Sequence, residues 1–498
     1  MNQQRVHRGG VWIITSGFLL QQALAFVTSI VVARSIGAAE FGAFAVLRNL
    51  VAFLLTLTPL GLDLALLKHA AFFDHRPAAF RHEVARLRIL IAGVNAAIVL
   101  IVYLGAGAWL EAHVYHFPRF AALLVVTLLG LPFAADLALL GAVYRAANRP
   151  GAFALMTNFI QPFIRLGGSL LLLALGWSTE GVVIANSAAY LASSVLVAID
   201  RSRTRPESEG RFALTDWAGS VTILRDSLWM AVSLFVGGAM RSVDTLSLGM
   251  FVAAKTVGAY GALSTVAQLV QAYPFAASQT LGPAIARFYR DGDLPAIRHA
   301  MSQYLRSASI VGGFLFGGIA ALGDRLDLLF GHSFHFQPAI CFMLPLGWLI
   351  SATLGPMGYS LSMTGRHRLE LAILVTGFVV LTAGCLILVP LWGQIGAASA
   401  VVAAFAFINL VRFSFFIRLF GFVPGSLLDL LPPVSAYLLA IAARLALDHL
   451  LARSLAGFVL ASLLYSALYG ALVYFVFADA ADRASLQRRA SGVLAFLR

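Results

Sequence analysis

Six ionisable side chains stand inside long apolar stretches of this chain: Arg48, Arg165, Arg241, Asp63, Asp136 and Asp244. An ionised group at the centre of a hydrocarbon layer costs roughly 2.5–3.5 kcal/mol on insertion scales, so each needs a solvated cavity or an opposite charge. A guanidinium is a planar fork that gives two parallel charge-assisted hydrogen bonds to phosphate oxygens. Counting about 1.5 Å per residue from the ends of their stretches places the three arginines at similar depth. Three guanidiniums at one level make a receptor for a phosphate or diphosphate. Asp244, Asp136 and Asp63 are the groups that could titrate or hold Na+ and so couple ion movement to such a site. Plainer readings stand beside these. Arg241 can pair with Asp244 three residues on, Arg48 can snorkel to headgroups, Asp63 can belong to the aqueous interface near Lys68, and Asp136 can pair with an arginine of a neighbouring helix. Arg165 is too deep to snorkel easily.

The elements that carry these residues follow from composition. Hydrophobic residues make up 60% of the 498 positions and charged residues 11%, which excludes a water-soluble domain of this size. Crossing about 30 Å of hydrocarbon takes about 20 apolar residues in a helix. Helices are expected near 11–33, 42–66, 88–109, 121–144, 152–175, 181–200, 227–251, 257–285, 307–323, 338–363, 369–390, 395–417, 431–446 and 455–478. The expected fold is therefore all-α, a polytopic membrane protein of about fourteen transmembrane helices. The runs are continuous rather than alternating, so a transmembrane barrel is excluded.

The net charge of +13 reflects topology rather than nucleic-acid binding. With the N-terminus inside, the basic clusters of residues 68–88, 201–225, 287–306 and 483–498 all fall on the cytoplasmic side, as the positive-inside rule requires. Both termini are then cytoplasmic. Cys341 and Cys385 lie in apolar runs and supply no disulfide framework. His332-x-x-His335 has no adjacent carboxylate in the spacing of a zinc site, and no nucleotide loop or nucleophile elbow is present. No cofactor, metal centre or enzymatic activity is expected.

Four landmarks recur at a nearly constant separation. Phe41-Gly42-Ala43-Phe44 returns as Val257-Gly258-Ala259-Tyr260, Pro77 to His82 as Pro295 to His299 with one residue gapped, Arg149 as Arg366, and Trp177-x-x-x-Gly181 as Trp392-x-x-x-Gly396, at offsets of 215–217 after that gap. The drift is read as loop insertions. An even number of helices per unit gives two parallel six-helix pseudo-repeats, followed by a C-terminal hairpin, with lobes at 1–205 and 206–425 and the hairpin with its tail at 426–498. The charges do not repeat, as a single asymmetric site between two lobes requires. Segment 295–306 reads as a short interfacial helix capped by Asp293, with Ile297, Met301, Tyr304 and Leu305 on its apolar face.

Ala33-Arg34-Ser35-Ile36-Gly37 with Glu40-Phe41-Gly42, Asp244 followed by Val257-Gly258-Ala259-Tyr260, and Leu329-Phe330-Gly331 resemble the polysaccharide-transport branch of the multidrug/oligosaccharidyl-lipid/polysaccharide exporter superfamily. The resemblance covers essentially the whole chain. It implies a flippase of the bacterial inner membrane that moves undecaprenyl-diphosphate-linked oligosaccharides for lipopolysaccharide or exopolysaccharide, with membrane lipid, a polysaccharide polymerase and a chain-length regulator as partners. Related peptidoglycan-precursor flippases bind Na+ near their seventh, eleventh and twelfth helices. Asp244 matches the first of these, whereas the eleventh run offers Thr376 and Thr382 and no central carboxylate. Two other readings are a drug/cation antiporter of the same superfamily and a membrane polysaccharide polymerase or ligase.

Overall fold

The computed structural model describes residues 2–70, 77–147, 149–203, 218–448 and 454–477, with residue 483 beyond them. Arg205 and Arg211, expected above on the cytoplasmic side, the 205/206 lobe boundary and most of the basic tail lie outside the described residues. Every described stretch is helical or a short connection. In chain order the α-helices are α1 (Asn2–Leu57), α2 (Leu62–Ala70), α3 (Pro77–Ile101), α4 (Gly107–His113), α5 (Phe120–Leu128), α6 (Leu131–Ala146), α7 (Pro150–Ala154), α8 (Gln161–Ala174), α9 (Thr179–Arg203), α10 (Ala218–Ala239) and α11 (Val243–Phe251). They continue with α12 (Ala254–Ala267), α13 (Ala272–Arg290), α14 (Leu294–Leu322), α15 (Asp327–Phe330), α16 (Pro338–Leu354), α17 (Pro356–Met363), α18 (His367–Trp392), α19 (Gln394–Phe420), α20 (Leu431–Asp448) and α21 (Leu455–Leu472).

Among the described residues nine helical segments are long and apolar enough to cross a membrane, or ten when the bent pair within α10 counts as one span. The count falls below fourteen because several apolar runs are broken or fused. The first two runs join in α1 across a kink at Gly37, whose φ of 78° only glycine adopts without strain. The second run breaks again at Leu60 and Gly61, and the seventh breaks between α10 and α11. Large apolar side chains point outward, among them Leu104 at 72% and Leu391 at 67% exposure. Side chains of this kind, spread over helix after helix, require lipid around them.

The chain divides into two compact units, Met1–Thr265 with Leu374–Ala404, and Val266–Ile373 with Phe405–Arg498. In the first, a core of Leu62, Leu66, Leu87, Ile91, Leu139 and Ile223 joins α2, α3, α6 and α10. In the second, Asp293 caps α14 by accepting from the Ala296 amide at 2.9 Å. The expected interfacial helix is the first part of this one long helix. Its apolar face does not meet lipid, since Ile297, Met301 and Tyr304 pack with Ile285, Met357 and Phe416. Helices α20 and α21 form the added hairpin on α14, where Gly313 and Gly317 admit the backbones of Pro433 and Ala436. Arg444 of α20 ties the hairpin down with a two-pronged bond to Asp324, at 3.0 and 2.8 Å, and a third to the Ala321 carbonyl. Arg444→Ala is expected to lower stability by about 1–2 kcal/mol, read as an earlier thermal transition in detergent, with Arg444→Lys recovering only part because it lacks the fork.

The internal repeat appears as repeated contacts within the first unit. A Cβ on Gly42 would lie 1.9 Å from the Ala254 carbonyl oxygen, and one on Gly258 would lie 2.0 Å from that of Ala38. Both pairs are related by 216 positions, so α1 and α12 cross through matching surfaces, each glycine against the other copy's counterpart. Gly168 faces Ala185 in the α8–α9 pair just as Gly384 faces Ala400 in the α18–α19 pair, at 3.2 and 3.1 Å. Arg149 and Arg366 each donate their amide five residues back, to Tyr144 and Leu361.

These pairs also locate the drift in offset. From Arg149 to Gly168 is one residue more than from Arg366 to Gly384. The extra residue is absorbed in a π-helical turn at Leu155–Ile160, between α7 and α8, whereas α18 is unbroken α-helix. This part of the drift therefore lies inside a membrane helix and not in a loop. The next single-residue step does fall in the loop before Gly181.

Candidate functional site

Arg48 and Arg165 lie in the first unit, near enough for the charge of one to act on the other. Arg48, eleven residues beyond the Gly37 kink, donates Nη2 to Thr265 Oγ1 at 3.3 Å. Arg165 lies on α8 with its guanidinium carbon 5.6 Å from the centroid of the Tyr190 ring on α9, a cation–π contact. Its buried Nε has no hydrogen-bond acceptor. The Arg165 charge repels that of Arg48, and the Tyr190 phenol is the other group whose field reaches Arg48. Among the described residues no carboxylate pairs with either guanidinium. Two neighbouring cations in a largely apolar surrounding, with donors left over, are the chemistry that an anion would satisfy.

Three more buried polar groups lie close to Arg165 along the helices. Gln161 and Ser169 stand one turn before and one turn after it on α8, and Ser193 is on α9. Gln161 Nε2, Ser169 Oγ and Ser193 Oγ are all buried without a partner. A donor left unsatisfied in a dry interior costs about 1–3 kcal/mol. These residues are inconspicuous in the sequence because serine and glutamine carry no charge to mark them within an apolar run. The i, i+4, i+8 spacing of Gln161, Arg165 and Ser169 was the available signal for two of them, and Ser193 had none.

Arg241 lies elsewhere than the middle of a helix. It sits in the turn Met240–Ser242 that separates α10 from α11, and it is exposed. Antiparallel packing of Thr56 on Gly238 and Val46 on Gly249 sets Arg241 opposite residue 53 or 54 of α1, about 8 Å along that helix from Arg48. Among the described residues no hydrogen bond or ion pair joins it to Arg48 or Arg165.

Asp244 does not take Arg241 as its partner. Its Oδ1 accepts from the Thr245 amide at 2.6 Å and the Thr245 hydroxyl at 3.3 Å, and its Oδ2 from Tyr260 Oη at 2.8 Å. Only 4% of the residue is exposed. Cys385 of α18 lies beside Asp244 and bonds to Ser247. These residues do not fit a Na+ cage. There is one carboxylate, both of its oxygens already accept from N–H or O–H donors, and a soft thiol stands where a hard oxygen ligand would be needed. Among the described residues no cluster of three His, Cys, Asp or Glu could hold a metal ion.

The other two acids each have a cation nearby, and Asp63 Oδ1 is buried without a hydrogen-bond partner. Asp136 of α6 receives both prongs of Arg88 of α3, at 2.6 and 2.8 Å, the neighbouring-helix pair foreseen as its plainer reading. Asp63 occupies the first turn of α2, where a carboxylate is favoured by the helix dipole. Arg145 is the cation whose field reaches it.

The fold is that of the transporters to which the lipid II flippase MurJ belongs. The chain superposes on MurJ in its inward closed conformation with a TM-score of 0.72 at 12% identity, covering 93% of this chain and 98% of that one. An inward-facing multidrug resistance MATE family transporter of the MOP superfamily gives 0.62 at 12% identity over 82% and 98%. A MOP superfamily transporter from Pyrococcus furiosus, described as having a binding pocket of reversed polarity, gives 0.54 at 12% over 83% and 95%. No curated protein matches in sequence. Residues 7–289 match the polysaccharide biosynthesis protein family, and the chain belongs to that family.

Proposed function

We propose that this protein is a flippase that carries undecaprenyl-diphosphate-linked oligosaccharide units, of O-antigen or exopolysaccharide, across the bacterial inner membrane by alternating access. The observation that carries the reading is the pair of uncompensated guanidiniums, Arg48 and Arg165, in the interior of a family concerned with polysaccharide biosynthesis. The diphosphate would take the place of the missing carboxylates, while exposed Arg241 would meet it on the way in or out. A cationic drug, the cargo of the antiporter reading, would add a third positive charge to a site that already repels itself. A polymerase or ligase would extend or transfer the glycan instead of moving it unchanged.

Purified protein in proteoliposomes should move a fluorescent lipid-linked oligosaccharide between leaflets with its glycan length unaltered. Failure to move it, or glycan growth, would overturn the proposal. Asp244 is assigned to proton coupling, since its carboxylate has hydroxyl and amide neighbours and no cation ligand set. Asp244→Asn keeps an acceptor for Tyr260 and fixes the neutral state. It is expected to fold normally and to lose the stimulation by an imposed pH gradient, whereas stimulation surviving in this variant would exclude Asp244 as the coupling group. Asp136 and Asp63 are left as supporting groups of the same helices.

A further inference from the structure

We infer that Gln161, Ser169 and Ser193 form a hydrogen-bonding stripe for saccharide hydroxyls on either side of the Arg165 phosphate contact. The inference rests on the diphosphate reading of Arg48 and Arg165. Gln161 is 6% exposed and Ser169 and Ser193 are fully buried, yet Gln161 Nε2 and both serine oxygens lack partners. Serines and threonines within apolar helices ordinarily turn back to the carbonyl four residues earlier. Thr127 does so to Leu123 at 2.6 Å and Ser399 to Ile395 at 2.8 Å. Ser169 and Ser193 leave that bond unmade, so each hydroxyl keeps an unused hydrogen-bonding capacity, closed to solvent in this conformation, that a guest would satisfy where the surrounding helices part.

The geometry suits an extended polar ligand. Gln161, Arg165 and Ser169 share one face of α8 and span about 12 Å. Gly168 opposite Ala185 and Gly181 against Leu172 set the antiparallel α8–α9 register, which carries Ser193 to the level of Gln161. The stripe belongs to one copy of the repeat only. By the Gly168–Gly384 and Ala185–Ala400 equivalences its four positions become Gly377, Leu381, Cys385 and Ile408. The π turn at Leu155–Ile160 immediately precedes it, so the one-residue insertion sets the face that α8 presents. An amide and two hydroxyls flanking a guanidinium offer donors and acceptors for a sugar on a phosphate, whereas a bare phosphate would leave them unused.

The test uses the full chain in nanodiscs and compares binding of undecaprenyl diphosphate, undecaprenyl-diphosphate-linked saccharide and phosphatidylglycerol by native mass spectrometry. Wild-type protein is expected to hold the saccharide-bearing lipid about tenfold more tightly than undecaprenyl diphosphate, as two or three neutral hydrogen bonds provide. Gln161→Leu with Ser193→Ala should abolish that preference and leave binding of undecaprenyl diphosphate unchanged. Ser169→Ala alone, a substitution small enough to keep the helix packing, should reduce the preference by a fewfold. Equal binding with and without sugar, or a variant that weakens both lipids alike, would overturn the stripe while leaving the phosphate reading intact. Failure of wild-type protein to bind undecaprenyl diphosphate would overturn the phosphate reading itself. Equal competition by phosphatidylglycerol would assign the groups to an ordinary lipid headgroup and overturn the saccharide assignment.

Discussion

Arg165→Ala is expected to cut translocation of lipid-linked oligosaccharide roughly 10- to 100-fold while leaving the protein no less stable than the wild type. The loss corresponds to about 1.5–3 kcal/mol for hydrogen bonds to a charged group. Stability should hold because the guanidinium has no acid partner to strand, and removing it relieves the repulsion on Arg48. An arginine in an ordinary buried ion pair would behave in the opposite way, destabilising when truncated. Arg48→Ala should share the transport defect. Neither variant should add stability on top of the other, because the repulsion disappears with the first. Arg165→Lys keeps the charge but not the fork, and an intermediate rate is expected. Translocation and thermal unfolding measured on the same preparations decide the matter. Unimpaired translocation, or a marked fall in melting temperature for Arg165→Ala, would show that the residue is part of the scaffold.

The second large effect is on folding. Gly42→Ala and Gly258→Ala are each expected to cost about 3 kcal/mol or more, beyond the usual range for an overpacked core, because the new methyl would meet a backbone carbonyl at 1.9 or 2.0 Å and not a side chain that can turn aside. The two costs should be equal within error, since the contacts are copies of each other. Gly237→Ala is the control, with no atom within 4 Å of its added Cβ, and should be neutral or slightly stabilising. Size-exclusion profiles and melting temperatures in one detergent would reveal the pattern. A tolerated Gly42→Ala would mean that α1 and α12 do not cross as closely as described.

Much of this was legible in the chain. Apolar runs mark the membrane segments because lipid leaves no other place for them, and the glycine landmarks recur because Gly42, Gly258 and Gly396 each admit a close backbone approach while Gly181 admits the Cβ atoms of Leu172 and Trp177. Arg165 and Arg48 were singled out because charge in hydrocarbon is costly. The break at Arg241 was not foreseen, since hydropathy is blind to where a continuous apolar run unwinds. The pair Gly237-Gly238 followed by Arg241-Ser242 was its only mark. The Arg88 partner of Asp136 escaped because Arg88 was assigned to the start of a helix that in fact begins at Pro77. Part of the drift from 217 to 216 was the trace of the π turn, visible in the sequence but indistinguishable there from a change in loop length.

A crossing in which each glycine meets its own counterpart is the contact two identical polypeptides make when they associate face to face. The present chain thus carries, within one strand, the local two-fold symmetry of an isologous contact. The single inserted residue before α8 breaks that symmetry: one copy of the repeat carries Gln161, Arg165 and Ser169 where the other has Gly377, Leu381 and Cys385.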